Sequence, residues 1–354
     1  MRRIPFEELR NLAEAVLLKL GMEPERAGLS ARLTAETDRD GVKTHGIARL
    51  PRFVQMVELG QIDVNARAER VAGFGALERW RGDAGPGIPG PGNLNAYSAM
   101  TRAMELAREH GIGAVALGRT SHWMRAGTYG WMATEAGFAA MCWSNTLPNL
   151  PPWGAKTPAL GNNPLLIAVP HGEKPVVLDM AMSQFSYGTL SMYRARGQEL
   201  PVIGGFDEHG ELTRDAAAIE HTQRALPIGF WKGSGLAFVL DILGAMLAGG
   251  KATCDFEADA LKEVGQSQVF LAVAPQAIAT LEEMRGVVSR SIDFLHAAQP
   301  VEGGSPSRYP GEGVLRAREE NLRLGVAVED AAWDGLLKLM ESVAPRKGMT
   351  SVMP

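Results

Sequence analysis

The 354-residue sequence has little cysteine and few aromatic side chains. Its two cysteines, Cys142 and Cys254, form no CxxC pair and no metal-ligand spacing, which argues against a disulfide framework and predicts reduced thiols in a cytoplasmic protein. The seven histidines show no HxxxH or comparable spacing, so we predict no metal ion. Phe, Trp and Tyr make up 6% of the chain, and we expect the 16 methionines to fill the core.

The sequence also lacks a large excess of positive or negative charge and lacks long apolar runs. The 36 Lys and Arg residues and 40 Asp and Glu residues give a net charge of −4, without a basic run, so we predict neither nucleic acid nor an anionic membrane as a partner. Glu7 and Glu8 interrupt any signal-peptide core behind the N-terminal arginines. The longest apolar run, 235–250, contains Asp241 and is too short to span a bilayer, so it predicts a buried helix.

Apolar residues make up 45% of the chain, enough for one large domain or two ordinary ones. They recur at spacings of three and four over residues 5–20, and Gly21 follows where a helix would end. Comparable patterns predict further helices towards both ends of the chain, over residues 23–39, 51–59, 277–297, 313–324 and 328–342.

Between about residues 70 and 275 the sequence pattern differs from that of the two ends, because short apolar runs alternate with helical stretches. The runs 112–117, 139–143, 165–169, 176–180 and 267–273 predict strands, and residues 95–110, 127–136 and 236–247 predict helices. Because only a short turn separates 165–169 from 176–180, we expect a mixed sheet rather than a purely parallel one. We therefore predict an α/β (α+β) protein in which an α/β domain, 71–275, is inserted into a helical domain of residues 1–70 and 276–354.

The segment 39–49, with the sequence RDGVKTHGIAR, is the strongest candidate for chemistry. His45 titrates near neutral pH and can transfer a proton, and the hydroxyl of Thr44 stands beside it. Arg49 shares a face with His45 if the segment is helical, and it can bind a carboxylate through two charge-assisted hydrogen bonds. Together they suit the reduction of a 2-oxo acid. The alternative is that Thr44 caps a helix and the histidine and arginine are surface structure.

Polar residues after the predicted strands are further candidates, because ligands bind at strand ends in α/β sheets. His122 is predicted as a substrate contact, with a structural hydrogen bond as the alternative. Asp179 would orient His45 or raise its pKa, or else cap the next helix. Three turns, 143–145, 151–156 and 161–164, are predicted to form the rim of the site.

Two segments bear on phosphate binding. Residues 85–90, GPGIPG, match the glycine spacing of a dinucleotide-binding loop, but the prolines within 85–92 remove backbone donors and predict an ordinary loop. Trp231 and Lys232 precede the apolar helix, whose N-terminus would favour an anion, and Lys232 adds a positive charge. A pyrophosphate is the natural ligand for that position.

Six motifs in this order resemble the non-Rossmann malate/L-lactate dehydrogenase family, and within it the 2,3-diketo-L-gulonate reductase branch. They are GVKTHG (41–46), SHWMR (121–125), PPWGAK (151–156), DMAMSQFSYG (179–188), LPV with GGFDE (200–208) and WKGSG (231–235). The resemblance runs over nearly the whole chain. It implies a cytoplasmic homodimer with a mixed-sheet, non-Rossmann nucleotide-binding domain that uses NAD(H) or NADP(H) to reduce the C2 carbonyl of a sugar-derived 2-oxo acid.

The resemblance also implies roles for single residues. His45 would donate the proton, with Thr44 where the family usually has serine; Asp179 would be the partner acid and Arg49 a substrate contact. The cofactor would lie along Val177, Leu178, Asp179, Met180, Ala181, Met182 and Ser183, at Trp231 and Lys232, and at Gly311, Glu312 and Gly313. Glu312 departs from the branch, which tends to have histidine there, and residues 85–92 resemble an insertion.

Other functions stay open at this stage. The same chemistry would serve malate, lactate, ureidoglycolate or a cyclic imino acid as the substrate. A protein that binds a nicotinamide or an acid without turnover is the alternative from another class. The sequence does not choose between NADH and NADPH.

Overall fold

A computed structural model of the chain describes residues 1–83 and 87–344. Residues 85 and 86 of the loop predicted at 85–92 lie outside the described residues, as do residues 345–354 of the predicted helical domain. Residues 87–91 form an irregular segment that leads into a helix.

Every helix and strand that the sequence predicts is present, and several short elements are added. In the described ranges the helices are Phe6–Lys19 (α1), Pro24–Arg39 (α2), Leu50–Glu58 (α3), Gly92–His110 (α4), Gly127–Glu135 (α5), Tyr187–Ala195 (α6), Ala216–Thr222 (α7), Trp231–Ala248 (α8), Leu281–His296 (α9), Glu312–Leu324 (α10) and Asp330–Ser342 (α11). The strands are Arg2–Ile4 (β1), Glu69–Phe74 (β2), Leu77–Arg81 (β3), Ile112–Thr120 (β4), Ala139–Ser144 (β5), Pro148–Leu150 (β6), Leu160–Gly161 (β7), Leu165–Val169 (β8), Val176–Met180 (β9), Gly205–Phe206 (β10), Leu212–Thr213 (β11), Gln266–Val273 (β12) and Val326–Val328 (β13).

Local capping fixes several of these ends. α9 begins at a capping box, in which Thr280 accepts from the Glu283 N–H and the Glu283 side chain accepts from the Thr280 N–H. α4 ends at Gly111, which has a left-handed φ of 81°. Because glycine adopts that conformation without strain, the chain can turn directly from α4 into β4.

A seven-stranded mixed sheet in the order β2-β3-β4-β12-β5-β8-β9 forms the centre of the molecule. β3 and β4 are parallel, and each other neighbouring pair is antiparallel. The predicted mixed sheet is confirmed, and it differs from the largely parallel sheet of a Rossmann fold. β9, which carries most of the predicted cofactor segment, lies at one edge.

Both faces of the sheet are covered by helices. Successive strand residues alternate between the faces, so Phe270 of β12 packs with α4 and α5, and its neighbour Val269 packs with α8. Trp123 and Tyr129 pack around Phe270 in the core on the α4 and α5 side. The three ring centroids lie 5.6–5.9 Å apart, which is the spacing of aromatic rings in contact. The predicted strands thus provide two separate apolar layers.

Both ends of the chain contribute to a third core. Helices α1, α2, α3 and α11 bury residues such as Leu9, Val54 and Trp333 against one another. β1 pairs with β13, with Arg2 opposite Val328. The N-terminal and C-terminal elements therefore pack together, whereas the exact limits of the two predicted domains stay a prediction.

Helix α8 departs from the prediction of a buried helix. Ala237, Leu240 and Gly244 face the sheet, but Phe238 and Met246 are 53% and 65% exposed. The prediction was wrong because α8 is apolar all round and only one side meets the sheet. Of the described helices it is the one long and apolar enough to cross a membrane, although the sheet buries one side of it.

Candidate active site

The loop that carries His45 is held from behind by a buried carboxylate. Asp38, at the end of α2, accepts the Ile47 N–H at 2.7 Å. Gly46 lies against the same carboxylate so closely that a Cβ there would overlap it. Burial raises the pKa of Asp38 to about 7, opposed by the Ile47 N–H and by Lys43. The glycine after His45 is therefore a requirement of packing, and sequence reasoning missed Asp38.

His45 and His122 lie side by side, each with one ring nitrogen occupied. Thr44 Oγ1 lies 2.8 Å from His45 Nδ1, and His122 Nδ1 accepts the Met124 N–H at 3.0 Å. The rings are stacked with centroids 6.0 Å apart. In the described part of the chain neither Nε2 has a protein partner, so both are available to a ligand.

Arg49 is an unpaired cation next to these rings. It ends a single 3-10 turn, Ile47–Arg49, from which α3 continues. Among the residues that the structure describes, no Asp or Glu carboxylate lies within ion-pair distance of its guanidinium. Burial, and then the nearby charge of Arg52, lower the pKa of Arg49 to about 10, opposed by the charge of Glu263, so Arg49 is still charged at neutral pH.

This positive charge acts on the neighbouring histidine. Burial, followed by Arg49 and Arg125, lowers the pKa of His45 to about 4. The ring is therefore neutral near pH 7 in the ligand-free protein. The sequence analysis expected Asp179 to raise this pKa, and the structure instead gives His45 a cationic surrounding.

Asp179 has other partners in the described chain. Its Oδ2 accepts the Gly127 N–H at 2.8 Å, at the start of α5, and lies 3.9 Å from Arg125 Nε. Asp179 therefore caps α5, which precedes it in sequence, and not the helix that follows it. It makes no orienting contact with His45, whose ring is hydrogen-bonded to Thr44. Burial raises the pKa of Asp179, opposed by Arg125 and the Gly127 N–H. Its place in catalysis stays a prediction.

Behind Asp179 lies an ion network that the sequence did not predict. Arg125 Nη1 lies 2.7 Å from Asp40 Oδ2, and Arg318 contacts both oxygens of Asp40 at 2.8 Å. Arg39 Nε is 2.9 Å from Asp40 Oδ1. Although burial opposes ionisation, these guanidiniums hold the pKa of Asp40 down at about 2. The network ties the end of α2 and the segment before α5 to α10.

The three segments predicted to bind a cofactor lie along one edge of the sheet. At one end of the edge segment, Val177 donates its N–H to Pro310 O at 2.9 Å, directly before 311–313. At the other end, the Ile228 N–H donates to Met182 O at 2.9 Å, just before α8. The segment 177–183 therefore lies between the other two: 311–313 is next to its first residues, and the start of α8 is next to its last residues.

The start of α8 differs from the predicted anion site. The N–H groups of Lys232, Gly233 and Ser234 donate to carbonyls of the preceding turn, so they are not free for a phosphate. The ammonium of Lys232 has no partner in the described chain and is exposed. These backbone groups are therefore already bonded, whereas the lysine charge is available, and the predicted anion site at Trp231 and Lys232 stays a prediction.

Glu312 is the first residue of α10 and is already paired. His296 Nε2 lies 3.1 Å from its carboxylate, and Arg316 also contacts it. Burial opposes ionisation, but these partners lower the pKa of Glu312. A cavity of about 460 Å³ borders this group, with His171 and Tyr309 among its lining residues. A second cavity, of about 240 Å³, lies over Asp40, and neither reaches His45.

The predicted rim of the site is only partly present. Asn145 and Asn163 are fully buried and bind Asp241 and the Thr146 N–H, so they are structural. Residues 151–156 do lie at the surface near α8, where the Trp153 N–H donates to Ser234 Oγ.

Comparisons with known proteins establish the family of the chain. Residues 4–337 match the profile of the malate/L-lactate dehydrogenase family. This chain belongs to that family. The 2,3-diketo-L-gulonate reductase of Klebsiella pneumoniae (strain 342) is 42% identical over 332 residues, covering 94% of this chain and 98% of that protein. The protein of the same name from Citrobacter koseri is 41% identical over the same shares of the two chains.

Solved structures share the fold over nearly the whole chain. Sulfolactate dehydrogenase from Methanocaldococcus jannaschii superposes with a TM-score of 0.87 at 26% identity and covers 97% of both chains. Malate dehydrogenase from Pyrococcus horikoshii OT3 gives a TM-score of 0.86 at 25% identity, covering 98% of this chain and 96% of that one. The chain is therefore an oxidoreductase that acts on a small molecule, as the resemblance implied.

Proposed function

We propose that this malate/L-lactate dehydrogenase family member transfers a hydride from NADH or NADPH to the C2 carbonyl of a sugar-derived 2-oxo acid. The proposed substrate is 2,3-diketo-L-gulonate, which would become 3-dehydro-L-gulonate. The observation that carries this proposal is the unpaired charge of Arg49. A largely buried cation without an ion pair is costly, by roughly several kcal/mol, so the site is suited to an anion that arrives with the ligand. The names of the two relatives support the choice of substrate.

The residues divide the reaction between them. Arg49 holds the substrate carboxylate, and the His45 Nε2 faces the carbonyl oxygen that needs a proton after hydride transfer. Thr44 fixes the orientation of the ring through Nδ1, and His122 contacts the substrate beside it. The bound nicotinamide supplies the hydride.

Substrate binding itself supplies the proton donor in this scheme. The charge of Arg49 is the second cause, after burial, of the low pKa of His45. A carboxylate on Arg49 offsets that charge, and the pKa of His45 then rises towards its ordinary value. The ring takes up a proton when the substrate binds, and it delivers that proton to the developing alkoxide. Asp179 contributes a negative charge at the edge strand.

An elongated dinucleotide fits the edge of the sheet. Thr44 packs against Gly188 so closely that a Cβ at position 188 would overlap the threonine. In this proposal the nicotinamide end of the cofactor would lie near Ser183, and Lys232 would offer its charge to the pyrophosphate. The other end would be held at 311–313, where the cavity beside Glu312 is large enough for a ring system.

We also propose that the protein is a cytoplasmic homodimer without a metal ion. The exposed side of α8 presents Phe238, Val239, Ile242 and Met246 in one apolar surface. α9 is amphipathic, yet none of its residues is buried, and Phe294 is 84% exposed. Large uncovered apolar surfaces mark interaction sites, and a second copy would cover both helices.

The first test is loss of reduced-nicotinamide absorbance with a panel of acids, with NADH and NADPH supplied separately. The panel contains 2,3-diketo-L-gulonate, pyruvate, oxaloacetate, oxidised ureidoglycolate and a cyclic imino acid. We expect the highest kcat/KM with 2,3-diketo-L-gulonate, and a loss of at least a hundred-fold in kcat on His45→Ala. If the enzyme prefers another acid, the proposed mechanism still holds but the substrate assignment changes. If no acid is reduced with either cofactor, the result favours a protein that binds these ligands without turnover.

A further inference from the structure

A second arginine lies three residues beyond Arg49 and is already paired. Arg52 Nη2 lies 2.9 Å from Glu263 Oε2. Residues three apart in a continuous helical turn leave the same face, so the guanidiniums of Arg49 and Arg52 are neighbours. The Arg52 side chain keeps 26% of its surface exposed, so it faces open space as well as Glu263.

Glu263 is fixed in position for this contact. Its side chain is 6% exposed, and its Oε1 accepts from Gln266 Nε2 at 3.2 Å and from the Leu147 N–H at 3.4 Å. The residue precedes β12, so it reaches from the sheet to the first turn of α3. Its carboxylate is thus a built-in counter-ion for one of two adjacent arginines.

The charge of Arg52 reaches the substrate end of the site. After burial it is the next cause of the lowered pKa of Arg49. After burial, Arg49 and His45, it also contributes to the low pKa of His122. Arg49 and Arg52 are therefore two adjacent positive charges near the stacked histidines. Glu263 forms an ion pair with Arg52, and its charge also raises the pKa of Arg49.

We propose that Glu263 determines the charge of the accepted substrate: its ion pair is with Arg52, which leaves Arg49 to pair with one carboxylate, and the site selects 2-oxo acids with one carboxylate over dicarboxylates. This inference rests on the proposed function and narrows its substrate class. The carboxylate at C1 binds Arg49. A second carboxylate near Arg52 would meet the negative charge of Glu263, whereas the hydroxyls of a sugar acid can hydrogen-bond to both groups without such repulsion.

The test compares two substrates of the same shape, oxaloacetate and its monoanionic half-amide, 2-oxosuccinamate. We expect the wild-type enzyme to have the higher kcat/KM with the half-amide. Glu263→Gln keeps the shape and removes the negative charge beside Arg52, so the ratio should shift at least ten-fold towards oxaloacetate. Arg52→Gln removes the cation and leaves Glu263, so the ratio should shift at least ten-fold the other way.

Glu78→Gln is the matched control. Glu78 is also a buried glutamate paired with an arginine, Arg102, but it lies on β3 and is absent from the set of groups that act on the histidines. Its substitution should leave the substrate ratio unchanged. Circular dichroism and thermal unfolding would show whether each variant is folded before its kinetics are compared.

The inference is supported if the substrate ratio shifts towards oxaloacetate in Glu263→Gln and towards the half-amide in Arg52→Gln. Ratios that stay within three-fold of wild type in both, while the half-amide is still reduced, overturn it and leave the proposed function intact. If Glu263→Gln does not fold, Arg52→Gln decides alone, since a ratio that does not move towards the half-amide contradicts the inference. If the wild-type enzyme reduces no 2-oxo acid with either cofactor, the proposed function has failed instead.

Discussion

The charge of Arg49 is the residue-scale feature on which substrate recognition depends. Most arginines of this chain that lie near the site have a counter-ion: Arg125 and Arg39 bind Asp40, and Arg52 binds Glu263. Arg49 differs from them, since within the described chain no carboxylate lies at ion-pair distance from it, although the charge of Glu263 acts on it. Its guanidinium can therefore take a carboxylate without first breaking an ion pair.

We predict that Arg49→Met lowers kcat/KM for the best 2-oxo acid by 10²–10³-fold, about 3–4 kcal/mol. Arg49→Lys should lose roughly ten- to hundred-fold, because lysine keeps the charge but cannot form the two-pronged contact. Steady-state kinetics would measure both, and KM should carry most of the change.

The binding of reduced nicotinamide, followed by fluorescence, should be nearly unchanged in both variants. Arg67→Met is the control, since Arg67 is an exposed arginine that pairs with Glu23 at the surface. If Arg49→Met kept its kcat/KM within three-fold of wild type, Arg49 would not be the carboxylate site.

At the scale of elements, α2, the loop after it and α3 form one unit around Asp38. The carboxyl group accepts the Ile47 N–H and packs on Gly46, so the end of α2 sets the position of His45. Burial makes ionisation of Asp38 costly, and this links stability to pH. The folded pKa of about 7 exceeds the ordinary value of 3.8, so ionisation favours the unfolded chain.

We predict that Asp38→Asn stabilises the protein increasingly as pH rises from 5 to 7. The unfolded carboxyl is ionised throughout this range and the folded one is not, so the wild-type protein loses about 1.4 kcal/mol per pH unit that the variant keeps. Above pH 7 the difference should level off. Asparagine can still accept the Ile47 N–H, so the loop should keep its position.

Chemical denaturation at several pH values would measure this difference. Asp63→Asn is the control, since Asp63 is exposed and accepts the Asn65 N–H in a surface turn. A stability difference for Asp38→Asn that is the same at pH 5 and pH 8 would contradict the raised pKa.

The elements also show what sequence reasoning can reach. Apolar patterns that reflect burial predicted every helix except α6 and α7, and they predicted the sheet strands β4, β5, β8, β9 and β12 but not β3. β2 was missed because every residue from Glu69 to Phe74 is exposed, so no alternation marks it. β6, β7, β10 and β11 have two or three residues each, too few to carry a periodic pattern.

The candidate site divides in the same way. Thr44, His45 and Arg49 were predictable because one local segment contains all of them. The network around Asp40 was not, because Arg125 and Arg318 lie 85 and 278 residues away in sequence. For Asp179 the strand end was predicted, but its contact with Gly127 depends on how β9 packs beside α5.

At the scale of the whole molecule, the surface that remains uncovered is concentrated on α8 and α9. α8 presents a row of large apolar side chains to solvent, and it begins at Trp231 and Lys232, the proposed cofactor contacts. Such a surface is larger than scattered exposed residues would give. A dimer that covers it would shield the apolar row and stabilise the start of α8 at the same time.

We predict that the protein sediments at twice its chain mass of 38.0 kDa, and that Ile242→Glu shifts it to the monomer. Ile242 lies in the middle of the exposed row, so a buried glutamate there should weaken association at least a hundred-fold, about 3 kcal/mol. Leu59→Glu, at an exposed leucine after α3, should leave the dimer intact. Analytical ultracentrifugation over micromolar concentrations would separate the species. A monomeric wild-type protein, or a dimer that tolerates Ile242→Glu, would show that a second copy does not cover α8, and the apolar row would then need another partner.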